Sequence, residues 1–137
     1  MRIYLGVKVK GLKGKGKAVY ILEAETSKGP ITVTEKSEAE EATINGLALE
    51  TALKAIKRVK PGTKITLYTE NGYLLQGFGD WLKAWQQSNF TTSKGEPIKN
   101  AEKWREVSEI LNAKGIYIDA KNEHHSFSNW IAGELEK

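Results

Sequence analysis

Residues 2–36 read RIYLGVKVKGLKGKGKAVYILEAETSKGPITVTEK and indicate three β-strands in succession. Apolar and polar residues partly alternate from Arg2 to Val9, and Lys17 to Ala24 is a second stretch with the composition of a strand. The glycine-rich segment between these two stretches predicts an antiparallel hairpin. A third strand, from Pro30 to Lys36, is expected after the break at Gly29-Pro30.

A long helix is predicted from about Ala39 to Lys60. Leucine, isoleucine and alanine recur there at helical spacing, and Pro61-Gly62 ends the pattern. The stretch from Lys64 to Thr69 then has the composition of a short strand. A strand, a long helix and another strand in this order favour a parallel crossover joined to the first three strands.

The rest of the chain predicts more helices and a fifth strand. We expect helices at about 72–87, 101–111 and 129–136, with a strand at 116–120 before the last of them. The fold class that follows is α/β: a mixed five-stranded sheet, antiparallel in its first three strands and parallel afterwards, with helices on both faces. We expect residues 1–137 to form one domain.

The composition is that of a soluble globular protein, with 39% hydrophobic and 28% charged residues. The N-terminal MRIYLGVKV contains no long apolar segment. We therefore expect no signal peptide, no membrane association and a cytoplasmic location.

The residue types present also limit the metal chemistry. The chain has no cysteine, and its two histidines are adjacent, so disulfides, thiolate sites and an ordinary zinc site are excluded. Any bound metal would be a hard ion held by carboxylates. The net charge of +4 is compatible with an anionic partner such as nucleic acid, although many ordinary domains are equally basic.

Segments throughout the chain resemble motifs of type 1 ribonuclease H. TINGLAL at 43–49 is similar to the motif of the family's first helix, and LYTENGY at 67–73 is similar to the motif that ends its fourth strand. Between Trp81 and Trp104, several residues and the loop sequence GEPIKN follow the family's spacing. His124 or His125, followed by Ser126 and Asn129, resembles the family's histidine-containing loop before the last helix. The resemblance implies a ribonuclease H-like fold over essentially the whole chain.

The resemblance also implies a nuclease site, but with most of its acids missing. Members of this family cleave the RNA of an RNA/DNA hybrid with two magnesium ions held by four carboxylates. The family's acid positions fall on Gly6, Ala48, Glu70 and Gly133. Glu50 lies about 200° around the helix from position 48 and should point away. We therefore predict a degenerate active site that binds no cofactor, with magnesium or manganese at Glu70 only if the chain is active.

Three other residues are candidates for a residual or altered site. Asp119 or Glu134 could supply a substitute carboxylate, although a solvated acid is the alternative interpretation for Asp119. His124 corresponds to the family's mobile proton-transfer histidine. Without metal ligands it would have little to assist, and a loop histidine with no role is the alternative.

The family's contacts to the backbone of nucleic acid also have counterparts in this sequence. By resemblance, the candidate nucleic-acid-binding residues are Thr43, Asn45, Thr92, Lys94, Lys99 and Asn100, with Lys103 adding positive charge nearby. Such contacts position a duplex without reading its sequence. The alternative is that Thr43 only starts a helix and that the lysines are merely solvated.

Two further features have a functional and a structural interpretation. The segment from Lys8 to Lys17 is rich in lysine and glycine and could follow phosphates, but a plain hairpin turn is the alternative. Trp81, Trp85 and Trp104 could stack on bases, but we expect them to form part of the core.

These observations lead to three hypotheses of function. The first is a catalytically inactive ribonuclease H-like domain that binds an RNA/DNA hybrid or another duplex through backbone contacts. The second is an active ribonuclease H with an altered metal site. The third is a structural or protein-interaction domain with a protein partner. The fold alone does not choose among them.

Overall fold

The structure, a computed structural model, describes residues 1–137 and contains five strands and five α-helices. The strands are β1 (Arg2–Val9), β2 (Gly14–Thr26), β3 (Gly29–Ala42), β4 (Lys64–Tyr68) and β5 (Tyr117–Lys121). The helices are α1 (Ile44–Lys57), α2 (Gly72–Gln76), α3 (Leu82–Gln87), α4 (Ala101–Lys114) and α5 (Ser128–Leu135), and a π-helical turn (Gly77–Trp81) joins α2 to α3. The predicted α/β fold class is confirmed.

The strands form one mixed sheet in the order β3-β2-β1-β4-β5. The first three strands pair antiparallel, whereas β1 with β4 and β4 with β5 pair parallel. The carboxyl ends of β1 and β4 therefore lie at the same end of the sheet. The turn between β1 and β2 also projects from that end.

The first helix starts later than the sequence predicted. Ala39 pairs with Gly16, and Ala42 pairs with Gly14, so residues 39–42 continue β3. The ladder ends where the Thr43 side chain accepts a hydrogen bond from the Gly46 amide at 3.1 Å. A threonine at this position satisfies an amide that a helix leaves unpaired in its first turn. The predicted start of the helix at Ala39 was wrong because pairing with β2 overrides local helix propensity.

Most of the core lies between the sheet and the pair α1 and α4. It contains 22 buried residues, among them Leu49 and Leu67 with 0% exposure. Burying such a side chain contributes about 1.5–3 kcal/mol relative to leaving it exposed. A second, four-residue cluster on the opposite face of the sheet joins Tyr4, Val19 and Ile21 to Ile131 of α5. The short helix α5 therefore depends on a small apolar contact.

The tryptophans do not all belong to the core. Trp104 is fully buried, and its indole NH donates to the Tyr73 hydroxyl at 2.8 Å. Trp81, at the end of the π-helical turn, is 39% exposed and lies 5.5 Å from the Trp85 ring, centroid to centroid. The prediction of a core position was correct for Trp104 and wrong for Trp81.

No helix of the chain combines the length and the apolar character needed to cross a membrane.

Two glycines of the π-helical turn provide a matched test of packing. A Cβ atom added at Gly77 would collide with the Trp104 ring, whereas one added at Gly79 would meet nothing within 4 Å. We expect Gly77→Ala to lower the free energy of unfolding by about 1–3 kcal/mol through overpacking. Gly79→Ala should leave it unchanged or raise it by up to about 1 kcal/mol. Urea denaturation followed by circular dichroism measures both, and equal stabilities would contradict the packing of Trp104 on Gly77.

Candidate functional site

An open cleft of about 380 Å³ lies at the end of the sheet where β1 and β4 finish. Clefts beyond the carboxyl ends of strands are common binding sites in α/β proteins. Its wall combines six apolar side chains with six polar ones. The lining residues are Leu5, Gly6, Val7, Ile44, Thr69, Glu70, Asn71, Gly72, Glu123, His125, Ser128, Ile131, Ala132 and Leu135.

Gly6 of β1 lies against α5 at the side of this cleft. A Cβ atom at Gly6 would collide with the Ile131 Cγ2 atom and would lie 3.2 Å from the Leu135 Cδ1 atom. Ile131 is 7% exposed and packs on Val19, the residue that pairs with Gly6 across β1 and β2. Apolar side chains of α5 thus occupy the space beside β1 that a side chain at position 6 would need.

The segment after β4 ties the cleft to the start of α1. The buried Thr69 hydroxyl accepts from the Asn71 amide at 3.1 Å, and the Asn71 side chain accepts from the Leu74 amide at 2.8 Å, which caps α2. The Asn71 side-chain NH₂ also donates to the Asn45 side-chain oxygen at 3.2 Å. Glu70 is exposed between these fixed residues and faces the cleft.

His125 is the histidine that faces the cleft. Its ring lies 4.5 Å from the Tyr4 ring and 5.5 Å from the Tyr68 ring, and its Nδ1 atom accepts from the Phe127 amide at 3.1 Å. Burial lowers the pKa of His125, the charge of His124 lowers it further, and Glu70 raises it. Neutral His125 therefore carries its proton on Nε2. The sequence left His124 and His125 as alternatives for the histidine of this loop and favoured His124 for proton transfer. It did not single out the lining residue Glu123.

Burial also affects the tyrosine beneath this histidine. It raises the pKa of Tyr4 to about 12, with a further contribution from the hydrogen bond that the Tyr4 hydroxyl donates to Glu23. Tyr4 thus packs against His125 as a neutral ring. His124, by contrast, is exposed and does not line the cleft.

The other candidate acids lie outside the cleft. Asp119 is exposed in the middle of β5, where it pairs with Thr66. The Glu134 side chain bonds to Lys36 and Lys137, each at 2.9 Å, and these contacts lower the pKa of Glu134. Neither Asp119 nor Glu134 therefore lies in the cleft with Glu70, so neither is placed to serve as a ligand of an altered metal site in the cleft.

The positions assigned to acids by the sequence motifs are also separated. Ala48 has 0% exposure and belongs to the core, and Gly133 is exposed on α5; neither lines the cleft. Glu50 lies 3.9 Å from the Lys103 ammonium, on the outer side of α1, in agreement with the predicted direction. Of the residues singled out as possible acids, only Glu70 lines the cleft, and Glu123 is the other carboxylate there.

The predicted nucleic-acid contacts fall into two groups. Thr43 and Asn45 lie at the start of α1, next to the cleft. Thr92, Lys94, Lys99 and Asn100 belong to the loop between α3 and α4. Within the loop, the Thr92 hydroxyl accepts from the Lys94 and Glu96 amides, and the Asn100 side chain donates to the Tyr73 hydroxyl at 3.2 Å. Lys94 and Lys99 are exposed and have no carboxylate partner.

The RNase H family profile matches residues 5–136. The chain belongs to the RNase H family. Among curated relatives, the Ribonuclease H of Hahella chejuensis is 28% identical over 111 residues, which cover 77% of this chain and 68% of that protein. The Ribonuclease H of Rickettsia bellii is 34% identical over 94 residues, which cover 69% of this chain and 61% of that protein. The alignments thus span about two thirds of each of these two relatives.

Other curated relatives are covered less completely, and the solved structures share the fold at lower identity. The Ribonuclease H of Legionella pneumophila strain Corby is 32% identical over 77 residues, only 54% of its length. The foamy viral protease-reverse transcriptase in complex with dsDNA superposes with a TM-score of 0.73 and 18% identity, over 98% of this chain and 88% of that chain. LC9-RNase H1, a type 1 RNase H with the type 2 active-site motif, superposes with a TM-score of 0.73 and 16% identity, over 98% of this chain and 70% of that chain.

Enzymes of the RNase H family use magnesium or manganese, so the fit of such ions to this cleft can be tested. No group of three or more histidine, aspartate or glutamate side chains is arranged to hold a metal ion. Glu70 and Glu123 are the only carboxylates of the wall, and Ile131 and Leu135 supply no ligand atoms. Because magnesium needs several oxygen ligands, this donor set does not fit a pair of magnesium ions.

The contact of α5 with β1 can be tested by a double-mutant cycle. Gly6→Ala should lower the free energy of unfolding by about 1–3 kcal/mol, because the new methyl group meets Ile131. In an Ile131→Ala background, which removes the Cγ2 atom, Gly6→Ala should lower the free energy of unfolding by a clearly smaller amount. Thermal and urea unfolding of the four proteins measure the coupling. Equal costs in both backgrounds would show that Ile131 does not occupy the space beside Gly6.

The titration of His125 tests its proximity to Glu70. The fold lowers the pKa of His125 and so favours its neutral imidazole. The resulting contribution to stability is fully present above pH 6.5 and is lost as the pH falls through the lowered pKa. Since the Glu70 carboxylate raises this pKa, Glu70→Gln should lower it further. NMR titration of the imidazole signals gives the values. Glu50→Gln, remote beside Lys103, is the control and should cause no change; an unchanged pKa in Glu70→Gln would contradict the geometry.

Proposed function

We propose that this chain is a nucleic-acid-binding domain of the RNase H family that does not hydrolyse RNA. The single observation that carries the proposal is the packing of Ile131 and Leu135 of α5 against Gly6. The sequence motifs place a family acid at position 6, where the chain has neither a carboxylate nor room for one. The proposal extends beyond membership of the family, which by itself does not decide activity.

The remaining carboxylates support the loss of hydrolysis. Two-metal catalysis needs ligands that converge from several elements on a pair of ions about 4 Å apart. Here Glu70 follows β4 and Glu123 follows β5, while positions 6 and 48 supply a glycine and an alanine. His125 has the position and the neutral tautomer for moving a proton, but nothing beside it would activate a water molecule.

The surface around the cleft favours binding of a phosphate backbone. Thr43 caps α1, and the first turn of this helix contains no acidic residue, although Glu40 and Glu41 precede the cap at the end of β3. The hairpin between β1 and β2 contributes exposed lysines at the same end of the sheet, and Lys94 and Lys99 extend the positive charge to the loop before α4. Lysines on several elements can follow a duplex without reading its bases.

Base-paired nucleic acid is the partner that the relatives suggest. LC11-RNase H1 in complex with RNA/DNA hybrid superposes on 98% of this chain with a TM-score of 0.63. The foamy viral enzyme with dsDNA has a similar domain. We propose that an RNA/DNA hybrid or a related duplex lies across the start of α1 and the loop before α4, recognised by shape and phosphates.

Incubation with an end-labelled RNA/DNA hybrid tests this function. In magnesium or manganese we expect no cleavage above that of the Glu70→Gln variant, and we expect both proteins to bind the hybrid. Affinity should fall steeply between 50 and 200 mM salt, because binding releases counterions. Fluorescence anisotropy at several salt concentrations measures it.

Two results would overturn the proposal in different ways. Cleavage that disappears in Glu70→Gln would show an active ribonuclease H with an altered metal site. Absence of binding at low salt, with the protein folded by circular dichroism, would instead favour a structural or protein-interaction domain.

A further inference from the structure

The tip of the hairpin between β1 and β2, residues 10–15, combines an apolar side chain with positive charge. The Lys10 amide donates to the Lys15 carbonyl oxygen at 2.9 Å and closes the turn. Gly11 has a φ of +70°, a conformation that glycine adopts without strain, and no atom lies within 4 Å of the position of its missing Cβ. The hairpin tip is therefore an ordered turn that projects into solvent.

Leu12 is the apolar side chain of the hairpin tip and is 95% exposed. The other exposed large apolar side chains are less exposed than Leu12; for example, Tyr117 is 67% exposed and Ile31 is 58% exposed. Leu12 packs in neither apolar cluster of the protein, so it contributes nothing to the core. A polar residue would make the same turn without exposing apolar surface to water.

Lysines surround Leu12 on both sides. Lys10, Lys13 and Lys15 are all exposed. The only carboxylate within 4.0 Å of these ammonium groups is that of Glu41, whose oxygen lies 3.9 Å from the Lys13 ammonium, with both side chains largely in solvent. An exposed pair of this kind contributes little energy. The three ammonium groups are thus free to bind an anionic partner.

The position of the hairpin tip identifies that partner. Its base rests on the start of α1: Gly14 pairs with Ala42, and a Cβ at Gly16 would lie 2.7 Å from the Leu47 Cδ2 atom. Thr43 and Asn45, which we place in the nucleic-acid interface, follow immediately. A duplex held at the start of α1 would therefore lie beside the hairpin tip.

We infer that the hairpin tip inserts Leu12 as an apolar wedge into a groove of base-paired nucleic acid while its lysines bind the flanking phosphates. Leucine is one of the side chains that proteins insert between base steps, usually with basic residues alongside. This inference rests on the proposed function and adds to it a contact with the bases themselves. The site requires no metal and does not involve the cleft.

Leu12 should contribute to duplex binding through an apolar contact and the lysines through ionic contacts. The two contributions differ in their dependence on salt concentration. Leu12→Ala should weaken binding of the duplex about tenfold, as expected when a leucine side chain leaves an apolar contact. The slope of log K against log salt should not change, because no phosphate contact is lost. Lys15→Gln should weaken binding at low salt and reduce the slope by about 0.9.

Matched controls lie at the other end of the sheet. Ile31→Ala removes an exposed apolar side chain from the start of β3, and Lys28→Gln removes a lysine from the turn before it. Both should bind as the unchanged protein does. A duplex that carries 2-aminopurine should gain fluorescence when the unchanged protein unstacks the base, and it should gain little with Leu12→Ala.

Each outcome decides the inference. It is supported if Leu12→Ala lowers affinity at constant slope and abolishes the fluorescence gain, while the controls do neither. It is overturned, with the proposed function intact, if Leu12→Ala and the unchanged protein bind the duplex equally. If the unchanged protein binds no duplex, both proposals fail. Co-sedimentation with phosphatidylserine vesicles that depends on Leu12, without an effect on duplex binding, would assign the hairpin tip to a membrane surface and overturn the inference.

Discussion

The parallel pairing of β1 with β4 is the constraint from which the arrangement of the cleft follows. Only three residue pairs connect the two strands, from Arg2↔Thr66 to Tyr4↔Tyr68, and α1 provides the crossover between β3 and β4. Because the strands run in the same direction, Gly6 and Glu70 come to the same end of the sheet. The hairpin between β1 and β2 and the start of α1 are brought there as well. A slip of one residue in this pairing would place the Tyr4 and Tyr68 side chains on opposite faces of the sheet and separate their stacked rings.

The short helix α5 then determines what that end of the sheet can do. Ile131 and Leu135 pack against Gly6, while Glu134 bonds to Lys36 and thereby turns away from the cleft. A carboxylate at position 6 would need this helix to move, because even its Cβ atom would collide with Ile131. The glycine and the apolar face of α5 are therefore mutually compatible, so one substitution at position 6 would not rebuild a metal ligand.

Local signals in the sequence were sufficient to predict most elements and the antiparallel and parallel parts of the sheet, because alternation, glycine and proline mark strands and turns directly. These signals failed where contacts with a distant part of the chain determine the local structure. Residues 39–42 are acidic and alanine-rich, yet they pair with β2, and the exposure of Trp81 depends on a π-helical turn without a clear signal. The packing of Ile131 and Leu135 on Gly6 was not predicted, although a glycine within a strand and an i, i+4 apolar pair in the last helix are signals from which such a close approach could be inferred. The choice of His125 over His124 depends on stacking with Tyr4, which no local pattern encodes.

Loss of metal ligands and retention of nucleic-acid binding are physically compatible. A two-metal site carries a dense cluster of carboxylates that would repel phosphates if the ions were absent. Here positions 6, 48 and 133 carry no charge, and Glu70 and Glu123 are the only carboxylates that line the cleft. Under the proposed function, the lysines of the hairpin and of the loop before α4 would attract a phosphate backbone without a bound metal. In the binding domain that we propose, the absence of a carboxylate at position 6 removes one source of repulsion from the cleft wall.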